Sequence, residues 1–342
     1  MRAHGISYDT GFVRDGRNSR PSFDPGVVRR ELRIIRDDLH CDAVRVIGGD
    51  PERLELAAGL AAGLGLEVWF SPYPLELDAE AMLDLFADCA ERAERIRRGG
   101  AEVVFVTGAE LCLMSRGILP GDSIEDRVAL LARPDLVREQ LGRAATAVNA
   151  FLSRAVATVR ARFGGRVTYA SVPFERVDWT PFDLVSVDVY RDARTAGGFA
   201  AAVPELVARE DGKPVAVTEF GSATYRGAGD RGALGLEVVV YDAAHAPERL
   251  ATVLDRDEEG QARYLRELLT AFHEGGVDTT FVFTFALADH VHRPGADPRE
   301  DLDLASFGIV KSLETGSGTA YPGLPWEPKA AFGAVADFHR GH

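Results

Sequence analysis

The chain has 342 residues, 46% of them hydrophobic, which is enough for one large core. Its 39 lysines and arginines against 53 acidic residues leave a formal charge of −14, and a chain that acidic repels phosphate backbones, so nucleic acid is excluded as the expected partner. Three scattered cysteines, Cys41, Cys89 and Cys112, make neither a disulfide framework nor a zinc spacing.

Short β-type runs alternate with longer helical runs from end to end. The chain goes from Arg2 and His4 directly into Gly5-Ile6-Ser7-Tyr8-Asp9 without a leader pattern, and no apolar run approaches the roughly 20 residues that span a bilayer. A cytoplasmic protein without membrane partners is therefore expected. The first strand is expected at 4–9, followed by a helix at 25–39 that opens on the cap Asp24 and Pro25. Strands at 42–47 and 66–71 come next, then a helix at 78–98, a strand at 102–107 and a long helix at 134–163. Strands at 167–172, 183–188 and 214–219 follow. A helix at 257–275 ends on Gly275-Gly276, the last strand lies at 279–285, and a helix at 327–340 closes the chain. Several strands are continuous apolar runs, as strands buried on both faces require. Eight such strands with crossover helices predict a single (β/α)8 barrel over residues 1–342, its site at the C-terminal ends of the strands. The long connections 108–133 and 220–256 both follow strand ends and are expected to carry function, the second as a lid or rim wall holding Tyr225, Arg226 and Tyr241.

Polar residues gather where the apolar runs stop. Glu219 ends strand 7 in Val215-Ala216-Val217-Thr218-Glu219-Phe220-Gly221, and Glu110 follows strand 4 in Val106-Thr107-Gly108-Ala109-Glu110. Either could be a loop glutamate. Paired on one rim they suit glycosidic bond cleavage, one protonating the leaving oxygen and the other attacking the anomeric carbon or activating water. Arg45, flanked by Val44 and Val46, needs a partner in a buried strand. It serves as a structural ion pair, as a brace for the nucleophilic carboxylate, or as both. Tyr190 is a candidate donor to the same carboxylate. Asp9, Asp188, Trp179, His290 and Tyr225 are candidate substrate contacts, and Trp69, Phe70, Tyr73, Phe174 and Phe285 join Trp179 as candidate sugar platforms. Asp289, His290 and His292 have a spacing that could bind a metal, though substrate contact or plain exposure is the simpler reading, and the mechanism requires no cofactor or metal.

In this order the residues resemble the large clan of retaining glycoside hydrolases built on (β/α)8 barrels. Thr218-Glu219-Phe220-Gly221 is similar to its strand 7 nucleophile motif, Val44-Arg45-Val46 to its strand 2 arginine and Tyr190 to its strand 6 tyrosine. Ser306-Phe307-Gly308-Ile309-Val310 and Glu327-Pro328-Lys329-Ala330-Ala331 resemble its closing segment. The resemblance implies a glycoside substrate, Glu219 as nucleophile and Glu110 as acid/base. Three positions depart from it. Ala109 stands where the clan has asparagine, Asp188 where it has histidine, and the strand 8 tryptophan is replaced by Phe283 or Phe285. These departures keep two further readings open: a barrel recruited to lyase, isomerase or cyclase chemistry, and a retired barrel that binds a sugar or a protein.

Overall fold

The computed structural model describes residues 1–131, 133–209, 212–295 and 297–342, with the backbone alone for 134–139. All eight expected strands form: β1 (Ala3–Asp9), β2 (Ala43–Gly48), β3 (Glu67–Pro72), β4 (Val103–Ala109), β5 (Arg166–Ala170), β6 (Val185–Asp188), β7 (Val215–Phe220) and β8 (Thr279–Val282). They make one parallel sheet in the order β5-β4-β3-β2-β1-β8-β7-β6. The ends of that sheet meet across a seam. A parallel bridge joins Ser171 to Val187, Asp188 N–H donates to the Ser171 carbonyl at 2.8 Å, and the Thr168 and Ser186 hydroxyls lie 2.7 Å apart. The molecule is thus the (β/α)8 barrel read from the alternation.

Helices α1 (Pro25–Asp37), α2 (Pro51–Gly63), α3 (Ala79–Arg98), α4 (Pro134–Arg160), α5 (Phe199–Ala208), α6 (Glu258–Glu274) and α7 (Ala330–Gly341) lie outside the strands. Asp24 caps α1 as expected, accepting from the N–H groups of Gly26 and Val27. Between sheet and helices runs a layer that includes Ile6, Val46, Phe70 and Phe105 with Leu32, Phe86 and Leu268. A separate interior cluster holds Ala43, Ile47, Trp69, Val104, Val106, Ala216 and Phe281. Apolar side chains pack on both faces of the sheet, which is why the strands read as apolar runs. Gly5 belongs to that packing, since a Cβ there would sit 2.5 Å from the Phe281 ring.

Connection 108–133 folds into two short helices, Leu111–Met114 and Ile124–Leu131. The second is tied down by Arg127, fully buried, which donates to Glu76 at 2.6 Å and to the Leu113 carbonyl at 2.6 Å. Connection 220–256 contains 3-10 turns and a small hairpin, Val239–Tyr241 with Pro247–Leu250. Among the described residues, no helix is long and apolar enough to cross a membrane.

Candidate active site

Both glutamates are aimed by a break in strand alternation. In a regular strand, residues four apart share a face. Ala216 belongs to the barrel interior, yet Phe220 belongs to the outer layer. The ladder shifts register on both sides of Glu219, so one extra residue is accommodated and Glu219 turns inward. β4 does the same. Val106 and Ala109 both face inward although three apart, and the register shifts between them. Gly108, at φ +85°, is the residue that permits it. Glu110 follows in the left-handed region, φ 46° and ψ 41°, a costly conformation for a residue with a side chain.

These turns bring three acids together. Single carboxylate oxygens of Glu110, Asp188 and Glu219 all lie within 4.8 Å of one another. Glu219 and Asp188 are buried, while Glu110 and Tyr190 keep part of their surface in solvent. The site therefore opens past Glu110 and Tyr190.

The acids are not equivalent. Arg45, with no exposed surface, donates through Nη1 to Glu219 Oε1 at 2.8 Å and to the Thr218 carbonyl at 3.0 Å, and through Nε to Ser71 Oγ at 3.1 Å. Tyr190 donates to Glu219 Oε2 at 3.3 Å. Burial raises the Glu219 carboxyl, and Arg45 and Tyr190 pull it back down. Glu110 is pushed well above the usual carboxylate range by burial first, then by the charges of Asp188 and Glu219. Glu219 is thus the acid that ionises more readily and Glu110 the one that keeps its proton. Such a split is what an acid and a nucleophile need.

A second set of residues holds the Glu110 turn in place. Glu175, buried in the turn after β5, accepts from the Tyr169 hydroxyl at 2.8 Å and from the Cys112 N–H at 3.0 Å. Tyr169 in turn accepts from the Leu111 N–H at 2.7 Å. Tyr73 faces the three acids, whose charges, after burial, raise its hydroxyl further. Its ring meets Phe12 edge-on at 5.1 Å. Sequence reading missed Glu175, because no apolar pattern marks a single acid in a turn, and placed Tyr73 only among possible platforms.

The remaining candidates fall into three groups. Asp9 ends β1 and His290 follows β8, which puts both at the same end of the barrel as the acids. Asp9 accepts from the Gly11 N–H at 2.6 Å, and its carboxyl is raised to about 7 by burial, against the pull of Arg20. His290 bonds Asp289 through Nδ1 at 2.9 Å, and its buried Nε2 has no protein partner. Tyr225 turns its hydroxyl to the Gly235 carbonyl at 3.3 Å, inside the packed core of connection 220–256. Trp179 packs on the outer layer, its carbonyl held at 2.6 Å by Lys213, which precedes β7. The Tyr225 hydroxyl is thus spent on loop structure, and Trp179, held beside the start of β7, lies at the end of the barrel opposite the acids. Of the other expected platforms, Trp69 fills the barrel axis against Phe281 at 4.8 Å, Phe70 lies in the outer layer, and Phe285 packs against Trp326. Phe283, not Phe285, reaches the rim, where it joins the interior cluster to the loop core.

His292 bonds Asp301 at 2.9 Å and His290 bonds Asp289, so the histidine pair diverges instead of converging on a metal. Among the described residues, the acids close enough to share a cation are Glu110, Asp188 and Glu219. Two surface depressions, of about 370 Å³ beside Phe199 and Arg266 and about 580 Å³ beside His292 and Glu314, hold none of these acids.

No family model and no curated protein matches the chain in sequence. Solved structures do match in shape. A GH113 β-1,4-mannanase aligns over 100% of both chains with a TM-score of 0.60 at 15% identity. A Parabacteroides merdae β-glucuronidase aligns over 99% of this chain and 37% of its own, with a TM-score of 0.61 at 12% identity. A Ruminococcus gnavus β-glucuronidase aligns over 99% and 49%, with a TM-score of 0.55 at 14% identity. At these identities the likeness is one of architecture: the chain has the (β/α)8 barrel of these glycosidases.

Proposed function

We propose that this protein hydrolyses a glycosidic bond with retention, using Glu219 as nucleophile and Glu110 as general acid/base. The observation that carries this reading is the pairing of two inward-turned glutamates, with oxygens within 4.8 Å, of which only Glu219 is braced by a buried arginine. Retaining enzymes hold their carboxyls about 5–5.5 Å apart, and inverting ones about 6.5–9.5 Å to admit a water. The short separation favours direct attack. Glu110 protonates the departing oxygen while Glu219 bonds the anomeric carbon. Glu110, now ionised, then takes a proton from the water that releases the sugar. Arg45 and Tyr190 hold Glu219 ionised and oriented. Asp9, Asp188, Tyr73 and His290 line the substrate's path. The shape likeness to a mannanase and to glucuronidases supports the class without choosing the sugar.

The test is a panel of aryl glycosides of both anomers. Glu219→Gln and Glu110→Gln should each lower kcat/KM by roughly a thousandfold or more on whichever glycoside is cleaved. The first-formed sugar should have the substrate's anomeric configuration by NMR. An inverted product would overturn retention. Turnover that depends on Glu110 but spares every glycoside would transfer the pair to non-hydrolytic acid/base chemistry. Variants that change neither turnover nor ligand affinity would leave a binding barrel.

A further inference from the structure

The third acid is the part of the site that hydrolysis alone does not explain. Glu219 has its two donors, whereas among the described residues the side chain that favours ionised Asp188 by hydrogen bonding is the Thr218 hydroxyl, and Asp188, 2% exposed, has no ion-pair bond of its own. Arg45 is the cation acting on all three carboxyls, and its bonds go to Glu219, Ser71 and a backbone carbonyl. A buried carboxylate that shares one guanidinium with two other acids is costly, and one neutral hydroxyl leaves most of its lone pairs unmatched. Asp188 ends β6 with an oxygen within 4.8 Å of both glutamates, so whatever it holds sits next to the reacting carbon.

The chemistry narrows the occupant. A hydroxyl offers one donor and no charge. A carboxylate or sulfate substituent would meet three acids and be repelled. A divalent cation would draw on the lone pairs that Glu110 and Glu219 need for reaction. An ammonium group offers three donors and a second positive charge among three acids.

We propose that the site takes glycosides whose sugar carries a free, protonated amine on the carbon adjoining the anomeric centre, with Asp188 as its counter-charge. This rests on the glycosidase reading for its chemistry, though not for its binding. Burial and Glu219 push the Asp188 carboxyl well up, so amine binding draws a proton off Asp188.

The experiment compares 4-nitrophenyl 2-amino-2-deoxyglycosides of gluco, galacto and manno configuration with their hydroxyl parents and N-acetyl forms. Calorimetric binding of the corresponding free sugars runs alongside. The wild-type protein should favour at least one amine over its hydroxyl parent by roughly tenfold or more in kcat/KM or Kd, and Asp188→Asn should bring that ratio close to one. Asp188→Ala serves as the second variant. Hydrolysis of neutral glycosides with no preference for the amine would overturn this inference and leave the glycosidase intact. Asp188-dependent binding of an amine without hydrolysis of any glycoside would do the reverse. Stabilisation of the wild type, but not of Asp188→Asn, by MnCl2 or CaCl2 with indifference to the amines would make the acids a metal site and overturn the proposal. If no amino sugar is bound or cleaved in preference to its parent, it also fails.

Discussion

Single residues set the ionisation of the site, and Tyr190 shows how. Its hydroxyl favours the ionised form of Glu219, the form that the proposed attack requires. Tyr190→Phe removes a donor to a charge, so the Glu219 carboxyl rises. The acid limb of the kcat/KM profile should then move to higher pH, on the order of one unit, while the alkaline limb set by Glu110 stays. A shift to lower pH would count against Glu219 as the ionised partner. Asp9 gives a stability test with the same logic. Its carboxyl is raised from 3.8 to about 7 in the fold. Between those values the folded chain keeps a proton that the unfolded chain releases, so stability falls as pH climbs through that window. Asparagine mimics the protonated form and can still accept from the Gly11 N–H. Asp9→Asn should therefore be the more stable protein at pH 8, by up to about 4 kcal/mol, with the gap closing near pH 4. Urea unfolding across that range measures it, and a gap that does not depend on pH would refute the assignment.

At the scale of elements, the two register shifts at Glu110 and Glu219 matter more than any helix. Gly108 holds the first at φ +85°, with Leu111 at 3.0 Å and Phe86 at 3.2 Å from an added Cβ. Gly108→Ala should cost about 1–3 kcal/mol and also lower kcat/KM, because the turn it strains carries Glu110. Gly100→Ala is the control: φ is +98°, the space around it is open, and it lies at the far end of β4. It should lose stability and keep its activity. Equal activity losses in the two would deny the shift a role in aiming the acid. Such shifts explain what could be read from the sequence and what could not. Apolar runs betray strands buried on both faces, so all eight were visible to within a few residues, and Glu110, Glu219 and Arg45 stood out by interrupting or ending them. The inward turn of Glu219 was not legible, since strict alternation would point it outward. Helices α2 and α5 escaped because Ala57, Ala58 and Ala61 in one, and Ala200, Ala201 and Ala202 in the other, blur the contrast between faces. Trp179 was misplaced because composition does not say which end of the barrel a loop aromatic returns to, whereas Tyr225 does follow β7 on the acids' side, with its hydroxyl bonded to the Gly235 carbonyl.

Across the whole molecule the proposed chemistry lies at one end of the strands and a binding network for the fold at the other. The foot is pinned by Glu67. It accepts from Arg2 at 2.6 Å, from the Trp69 indole at 2.8 Å and from Arg166 at 3.3 Å, while Arg2 also reaches Asp278 at 3.1 Å and Thr279 at 2.8 Å. One carboxylate thus gathers β1, β3, β5 and β8 at the end opposite the acids. Arg2 is 42% exposed at its side chain, so solvent screens part of the attraction and the network is worth less than a fully buried one. Glu67→Ala strands the Trp69 indole and two guanidinium groups. It should lower stability by about 2 kcal/mol, and leave kcat/KM at neutral pH within about twofold of wild type. Thermal unfolding and kinetics on the same preparation decide it. A large loss of activity with an unmoved Tm would mean that the two ends are coupled through the barrel axis, where Trp69 and Phe281 lie between Glu67 and the acids. The division of labour argued here would then have to give way to a barrel whose closure at the foot sets the spacing of its glutamates.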